Sequence, residues 1–519
     1  MTLATTLLSA GYWALTTLLT PQIPPPQANQ AKSAGLRAER DAILAGERKR
    51  LHALSDRLRA GGKAAEADEV ASGSADGPAA DGSSRFNLLP EVVEARPRGL
   101  ANVEVGRAGQ AEADAIRADA ARALFDLAAR SARPPGSSFA LADECLRGVL
   151  DRLSDHAEAR RLLGFVPRNG GWATPYAAKM LADGNVLDPT YGWVPADWVP
   201  HLRRGELPTR DRKGWLPAAE ADALRGQWAT AWQIPTEHFF IRTNVPLSQA
   251  ISFGRKLEAL HQLFFALMAD VLGPENLPLA QRYRNPKLQP ALPGVRKPFQ
   301  VYFFATRDEY AEFLAPFQGE GARKSLGTYV PRKESKQFGG VSYFFNDVGG
   351  QLDVTQTLFH EASHQLLFES AGPDDHARNV GNYWFFEGLG TYFETLQLGP
   401  DGSLRIGGLV GARIAQAKRR LVQQQEFIPI EPFVAMNQAR FWEGDFYLHY
   451  AEAMALAVFL MQADGERHRE GFLDYVRDAY RGRFRGGSGR ILEDRVGIPY
   501  PELDKAFLDY LEHGPRPRT

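Results

Sequence analysis

Apolar and charged positions alternate with helical spacing near the start of the chain, and a short polar break follows. Residues 33–70 mix Lys, Arg, Glu, Ala and Leu with apolar positions at helical intervals, which predicts a charged helix or short coiled coil. We interpret this helix as an exposed spacer. The stretch ASGSADGPAADGSS, residues 71–84, has too little apolar content to pack and predicts a linker. Residues 31–85 are therefore assigned to a charged helix and a low-complexity linker.

The next region combines helices with a weak repeat. Residues 108–165 are rich in Ala, Leu and Arg and predict two antiparallel helices of tetratricopeptide-like character, a candidate surface for a protein partner. Three Gly-Trp dipeptides follow, ending at Trp172, Trp193 and Trp215, each with a Pro shortly after it. The rings can fill small cores or form a strip that binds glycan or peptide. We assign residues 86–235 to a helical and Gly-Trp-repeat module.

From His238 the pattern changes to alternating strands and helices. HFFIRTN and FQVYFFA predict strands, each followed by a helical segment, and GGVSYFFND predicts another strand at residues 341–345. Beyond Gly350 nearly every periodic segment is helical. This order predicts an α+β fold for residues 236–512, with a mixed-sheet lobe and a helical lobe on either side of a cleft. We expect the strand at 341–345 to line that cleft as an edge strand, where it can bind an extended peptide by strand addition.

Composition narrows the class of protein. The 519 residues are 44% hydrophobic and 24% charged, which predicts a folded protein of more than one domain. The net charge of −1 offers no field that would collect nucleic acid, so we expect no nucleic-acid partner. With Cys145 as the single cysteine, an intramolecular disulfide and a cysteine-rich zinc module are excluded. Any metal must be held by histidines and carboxylates.

The first twenty residues carry no charged side chain and are followed by PQIPPPQ, which would end a helix. Residues 1–30 therefore resemble a signal peptide or a short membrane anchor, which predicts an exported or cell-envelope protein attached through residues 1–20. No Lys or Arg precedes the apolar run, the first being Lys32, so a cytoplasmic location stays open as the alternative.

Candidate chemistry is concentrated in the segment LDVTQTLFHEASHQLLFES, residues 352–370, which predicts a helix. His360 and His364 stand four residues apart, so one helical face presents both imidazoles about 6 Å apart, close enough to share one zinc ion. Glu361 projects beside that face. Zinc lowers the pKa of a bound water toward about 7, and a neighbouring carboxylate can accept the proton and pass it to a leaving amine.

A zinc enzyme needs a third protein ligand, and a second helical segment offers one. NYWFFEGLGTYFETLQL, residues 382–398, contains Glu387, and Glu394 follows two helical turns later on the same face. Glu394 either orients a ligand imidazole or is a surface carboxylate. The loop aspartates Asp374 and Asp375 remain alternative ligands. A metzincin site is excluded, because that motif requires Gly and His where this chain has Leu367 and Ser370.

The motif H-E-A-S-H and the later motif W-F-F-E-G-L-G-T-Y-F-E, with the distance between them, resemble the motifs of the gluzincin metallopeptidases. The resemblance implies Zn²⁺ bound by His360, His364 and Glu387, with Glu361 as the general base. These motifs and Y-A-E-A-M-A-L-A-V-F-L are also similar to the peptidase-MA-like family of unknown function DUF1570, over about residues 236–480. Related gluzincins place a tyrosine opposite the zinc, and Tyr450, rather than Tyr447, matches that place.

These features together predict a zinc-dependent peptidase that hydrolyses peptide bonds of a peptide or protein substrate with a zinc-activated water. The alternative is a non-catalytic zinc-binding scaffold whose N-terminal helices bind other proteins. The presence of Glu361 favours the enzyme, because zinc binding alone does not need that carboxylate.

Overall fold

The computed structural model describes residues 26–72, 81–94, 108–290, 298–319, 321–331, 340–346, 354–372, 381–399, 402–482 and 491–515. Its mixture of many helices with small sheets agrees with the α+β class. The apolar segment at residues 1–20 and the aspartates Asp374 and Asp375 lie outside the described residues, so the expectations for them stay predictions. Within the described ranges, no helix combines the length and the apolar character needed to cross a membrane.

The first part of the chain packs onto the rest of the molecule. It forms, in order, α1 (Pro26–Ala60), α2 (Ala64–Ser72), β1 (Ser84–Asn87), β2 (Val92–Val93), α3 (Ala108–Ser131), α4 (Phe139–Arg152) and α5 (Ala157–Leu162). The interpretation of the charged helix as an exposed spacer is wrong, because Leu51 and Leu54 of α1 are buried in a cluster shared with α2 and α3. At the other end of α1, the buried Arg37 donates hydrogen bonds of 2.6 and 2.8 Å to Glu470.

The three Gly-Trp dipeptides lie in a series of short hairpins. This region forms β3 (Val166–Arg168), β4 (Gly171–Ala173), α6 (Pro175–Ala182), β5 (Asn185–Asp188), β6 (Gly192–Pro195), α7 (Val199–Arg203), β7 (Glu206–Pro208), β8 (Trp215–Pro217) and α8 (Ala218–Ala223). β3 pairs with β4, β5 with β6 and β7 with β8, all antiparallel, and each Trp belongs to the second strand of its hairpin. The Trp rings are half-buried: Nε1 of Trp193 donates to Glu91 at 2.6 Å, and the Trp215 ring stacks on His201.

A five-stranded sheet forms the first half of the α/β region. In chain order, the strands of this sheet and the helices between them are β9 (Trp232–Pro235), β10 (Phe239–Thr243), α9 (Leu247–Leu267), α10 (Ala269–Leu272), α11 (Pro278–Arg284), β11 (Phe299–Phe304), α12 (Arg307–Gln318), α13 (Gly321–Lys324), β12 (Thr328–Val330) and β13 (Val341–Phe345). The strand order is β12-β13-β11-β10-β9, with β10, β11 and β13 parallel and the two outer strands antiparallel. The prediction that the strand at 341–345 is an edge strand is therefore wrong. β12 covers it, and a run of three residues is too short to be recognised as a strand from sequence.

Alternation along the parallel strands buries both faces of the sheet. On one face, Val301 and Phe303 of β11 enter the main core together with residues of α9. On the other face, Tyr302 and Phe304 pack with Tyr310 of α12 in a separate cluster. Because side chains alternate between the faces of a strand, the run FQVYFF supplies two cores at once.

Helices dominate the last part of the chain. In chain order, this part contains α14 (Val354–Ala371), α15 (Trp384–Glu394), β14 (Gln397–Leu398), β15 (Ser403–Ile406), α16 (Ala412–Ala417), α17 (Ile430–Val434), α18 (Gln438–Trp442), α19 (Phe446–Glu466), α20 (Arg469–Tyr480), α21 (Ile491–Val496) and α22 (Tyr500–His513). A π-helical turn, Lys418–Gln423, continues α16. β15 pairs antiparallel with both β14 and β1, so residues 84–87 from early in the chain are part of this region.

The helix α14 is fixed to the end of the parallel strands by one buried amide. Nε2 of Gln365 donates to the carbonyl oxygens of Gln300 and Gly340, at 2.9 Å each, and its Oε1 accepts from Oγ of Ser342 at 3.0 Å. Gln365 is fully buried, so losing any of these bonds would leave a polar group unpaired in the core. These contacts set where the two histidines of α14 stand relative to the sheet.

Candidate metal centre

The two histidines of the H-E-A-S-H motif face each other across one turn of α14. Their Nε2 atoms are 3.1 Å apart, and His360 is buried while His364 is half-buried. The helical i,i+4 spacing produces this geometry. Two imidazole nitrogens at this separation can bind a single ion.

The carboxylate of Glu387 approaches these nitrogens from α15. Its Oε2 lies 3.3 Å from Nε2 of His360 and 3.9 Å from Nε2 of His364. Its Oε1 accepts a hydrogen bond of 2.8 Å from the hydroxyl of Tyr383, one turn earlier. Within the described residues, the buried Oε2 receives no aligned hydrogen bond. One oxygen is thus held by the protein, and the other is directed at the histidines.

A glycine permits the two helices to come this close. A Cβ atom on Gly390 would lie 2.7 Å from Cε1 and 2.8 Å from Nε2 of the His360 ring, well inside ordinary contact distance. Gly390 therefore leaves the space that the imidazole occupies. Gly388 has a similar role on the neighbouring side, where a Cβ would lie 3.0 Å from the carbonyl oxygen of Ala453 in α19.

Glu394 orients the first histidine. Its Oε1 is 2.8 Å from Nδ1 of His360, and Nε of Arg413 donates to its Oε2 at 3.2 Å. The predicted contact is present between Glu394 and the imidazole of His360, and the alternative of a surface carboxylate is wrong, since only 10% of the Glu394 side chain is exposed. A carboxylate on Nδ1 leaves Nε2 as the nitrogen that faces Glu387 and fixes the orientation of the ring.

Glu361 lies beside the histidines and touches the edge strand. Its Oε2 accepts a hydrogen bond of 3.0 Å from the backbone N–H of Tyr329 in β12. Gly327 makes room for this contact, because a Cβ there would lie 2.7 Å from Thr357 and 3.3 Å from Cγ of Glu361. Burial, and then the negative charges of Glu387 and Glu394, raise the pKa of Glu361, although His360 and the Tyr329 amide oppose the shift. A carboxyl with a raised pKa is suited to accept and return a proton.

The two candidate tyrosines are in different environments. Tyr450 is half-buried in α19 with its ring under the guanidinium of Arg413, and burial followed by the charge of Glu387 raises the pKa of its hydroxyl. Tyr447 is 61% exposed. The structure therefore brings Tyr450 to the histidine and glutamate group and leaves Tyr447 at the surface. A tyrosine that stays protonated can donate a hydrogen bond to an oxyanion.

Electrostatic coupling within the group is strong. Burial disfavours the charged imidazole, but the carboxylates of Glu387 and Glu394 raise the pKa of His360 to about 10. Burial also acts to raise the pKa of Glu387, but contacts with the two histidines and the hydrogen bond from Tyr383 lower it to about 2. Several carboxylates around two imidazoles thus form a buried site that favours positive charge.

The residues present fit a metal ion. One ligand atom from each of His360, His364 and Glu387 lies within 4.8 Å of the others, and the incompletely bonded Oε2 of Glu387 completes a three-sided donor set. Two imidazoles and one carboxylate are a donor set that suits a single divalent transition-metal ion.

Three partners of this group were not found from the sequence. Tyr383 could have been found, because it stands four residues before Glu387 and this helical spacing brings the two side chains together. Arg413 and Tyr329 reach the site from elements distant in sequence, so no local pattern indicates them.

Comparison with known proteins gives one family match. The model of a family described as "Protein of unknown function (DUF1570)" matches residues 354–482, which run from the start of α14 to just beyond α20 and include every residue of the candidate centre except Gly327 and Tyr329. No curated protein matches the chain. The DUF1570 part of the predicted resemblance is therefore supported over residues 354–482, and residues 236–353 of the predicted extent lie outside the match.

Proposed function

We propose that this protein is a zinc-dependent peptidase of the gluzincin type. The observation that carries the proposal is the position of Glu361, a carboxylate beside a buried His360–His364–Glu387 group and not itself one of the three converging ligands. A site that only stores or anchors a metal has no use for such a carboxylate. Its raised pKa supports a role in proton transfer.

Each residue of the candidate centre has a defined task in this proposal. When bound, a zinc ion would supply a Lewis acid that polarises a carbonyl and makes a nearby water more acidic. His360, His364 and Glu387 would hold it, and Glu394 and Tyr383 would keep two of these ligands in position. Glu361 accepts the proton of the attacking water and returns it to the leaving amine. Tyr450 donates a hydrogen bond to the carbonyl oxygen as it gains charge.

The strand β12 supports an extended peptide as substrate. The N–H of Tyr329 points to Glu361 rather than to β13, so the outer edge of this strand faces the metal centre. A strand edge can pair with the backbone of an extended peptide, and in this proposal the peptide replaces Glu361 as the partner of the Tyr329 N–H, which would place the scissile bond beside Glu361. We therefore propose Thr328–Val330, instead of residues 341–345, as the site of strand addition.

The test is the substitution Glu361→Gln in the full chain, because Gln keeps the size of the side chain but cannot act as a base. We expect zinc content and melting temperature close to those of the wild type, with kcat/KM on an unstructured protein such as casein reduced by about two to four orders of magnitude. Glu312→Gln on the exposed side of α12 serves as the matched control and should leave kcat/KM unchanged. Equal turnover by wild type and Glu361→Gln would refute the mechanism, and zinc binding without any cleavage would favour the non-catalytic scaffold.

A further inference from the structure

A second group of side chains that could bind a metal ion lies outside the candidate centre. It lies beside the turn between β10 and β9, the edge strand at the opposite end of the sheet from β12. His238 immediately precedes β10, and Glu258 and His261 stand on α9. Positions i and i+3 of a helix share a face, so the Glu-x-x-His spacing presents both α9 side chains to His238. One ligand atom from each of the three residues lies within 4.8 Å of the others, as in the His360 group.

Glu258 is held in place by the turn before β10. Its Oε1 accepts from the backbone N–H of His238 at 2.8 Å and from Oγ1 of Thr236 at 2.5 Å. Its Oε2 lies 2.7 Å from Nδ1 of His238. The carboxylate therefore has one oxygen fixed by protein donors and the other directed at an imidazole, the arrangement that Tyr383 and His360 give to Glu387 in the first centre.

Two further carboxylates lie near these three residues. Glu237 directly precedes His238 in the chain, and Thr174 links it to Glu91, because the N–H of Thr174 donates to the carbonyl oxygen of Glu91 at 2.8 Å. Glu91 is oriented by the indole Nε1 of Trp193, and Oγ1 of Thr174 donates to Glu237 at 3.2 Å. A cation bound by the two histidines and Glu258 offsets the negative charge of these half-buried carboxylates.

We propose that His238, Glu258 and His261 form a second divalent-metal site, with Glu91 and Glu237 supplying additional negative charge. Imidazole and carboxylate donors suit ions such as Zn²⁺ and Co²⁺ rather than Ca²⁺. Glu91 comes directly before β2, which pairs with β4 of the first Gly-Trp hairpin. An ion here attracts the carboxylate of Glu91 and thereby stabilises the junction between the Gly-Trp region and the sheet.

The present ring geometry implies a local rearrangement on binding. The rings of His238 and His261 are stacked, with centroids 3.6 Å apart and 17° between their planes. A metal ion lies close to the plane of each imidazole that binds it, so at least one ring must turn about its Cβ–Cγ bond. The proposal therefore predicts that the ion separates this stacked pair.

Metal stoichiometry of the full chain tests the site. After chelator treatment and titration with Zn²⁺ alone, we expect two ions per wild-type chain by elemental analysis, and two Co²⁺ ions in a parallel titration. His261→Ala and Glu258→Gln should each retain one ion, with affinity at the second site reduced more than about 100-fold, because even residues that only orient a ligand contribute about 10- to 100-fold. His52→Ala, at an exposed position of α1, should still bind two. Circular dichroism confirms that each variant is folded, and Glu258→Gln, which keeps an acceptor for Thr236, serves if His261→Ala does not fold.

The outcomes distinguish this site from the first centre. One ion per wild-type chain, lost in His364→Ala and kept in His261→Ala, would overturn the second site and leave the proposed peptidase centre intact. One ion lost in His261→Ala and kept in His364→Ala would instead remove the metal from the proposed peptidase centre. NMR of the histidine ring protons gives an independent measurement. Binding should shift the resonances of His238 and His261, and no shift at two equivalents of Zn²⁺ would contradict the proposal.

Discussion

Gly390→Ala tests whether the close approach of α15 to α14 creates the metal centre. The added methyl group would lie 2.7 Å from Cε1, 2.8 Å from Nε2 and 3.0 Å from Nδ1 of His360. Ordinary contacts begin near 3.4 Å, so the ring or the helix must move by about 0.7 Å, the difference from 2.7 Å. Metal–ligand distances tolerate only about 0.2 Å. The 2.8 Å contact between His360 and Glu394 would be disturbed by the same movement.

We expect this substitution to weaken zinc binding by at least about 10- to 100-fold, the loss found when the orientation of a ligand is disturbed. Overpacking should also cost about 1–3 kcal/mol of stability, of which the higher helix propensity of Ala returns about 1 kcal/mol. The assay is competition for Zn²⁺ against a chromophoric chelator, together with thermal unfolding of the metal-free and zinc-loaded protein. The increase in melting temperature produced by zinc should be much smaller in Gly390→Ala than in the wild type.

Gly46→Ala is the matched control, because a Cβ at this position of α1 meets no atom within 4 Å. It gains the same helix propensity and should bind zinc like the wild type. If folded Gly390→Ala binds zinc with wild-type affinity, then the His360 ring does not hold the ion in the geometry described above, and the reasoning fails.

Three further predictions concern single side chains. Glu387→Ala should reduce zinc affinity far more than Asp375→Ala in a metal titration, since it removes a converging ligand; the reverse ranking would move the third ligand to the loop. Tyr450→Phe should lower kcat by about 10²- to 10³-fold at unchanged zinc content, whereas Tyr447→Phe, at an exposed site, should not change it, and equal rates for both variants would exclude the hydroxyl from the reaction. Burial raises the pKa of Glu452 well above 4.5, so the folded protein keeps a proton that the unfolded chain releases. Its contribution to the free energy of unfolding is therefore full below about pH 4.5 and is lost by up to about 1.4 kcal/mol per pH unit as pH rises toward the folded pKa. Denaturant titrations across pH should show this slope in the difference between the wild type and Glu452→Gln, and parallel pH profiles of the two proteins would contradict it.

The sequence contained the local part of the candidate centre. Helical periodicity places His360 and His364 on one face of α14 and sets Glu361 beside them, so this geometry follows from spacing alone. The second motif added Glu387 by resemblance and Glu394 by its position two turns later. Helix and strand alternation likewise predicted the α+β class, because these periodicities belong to short segments.

Contacts between distant segments were decided only by the tertiary structure. The apolar stripe of α1 was visible in the sequence, but the helices that bury Leu51, and the carboxylates that pair with Arg37, come from elsewhere in the chain. Thr328–Val330 is recognisable as the edge strand only because it pairs with β13, since a strand of three residues has no readable period. Tyr329 and Arg413 likewise reach the candidate centre only through the packing of elements that are distant in the sequence. Local spacing fixes which side chains share a face, whereas the packing of whole elements fixes which faces meet.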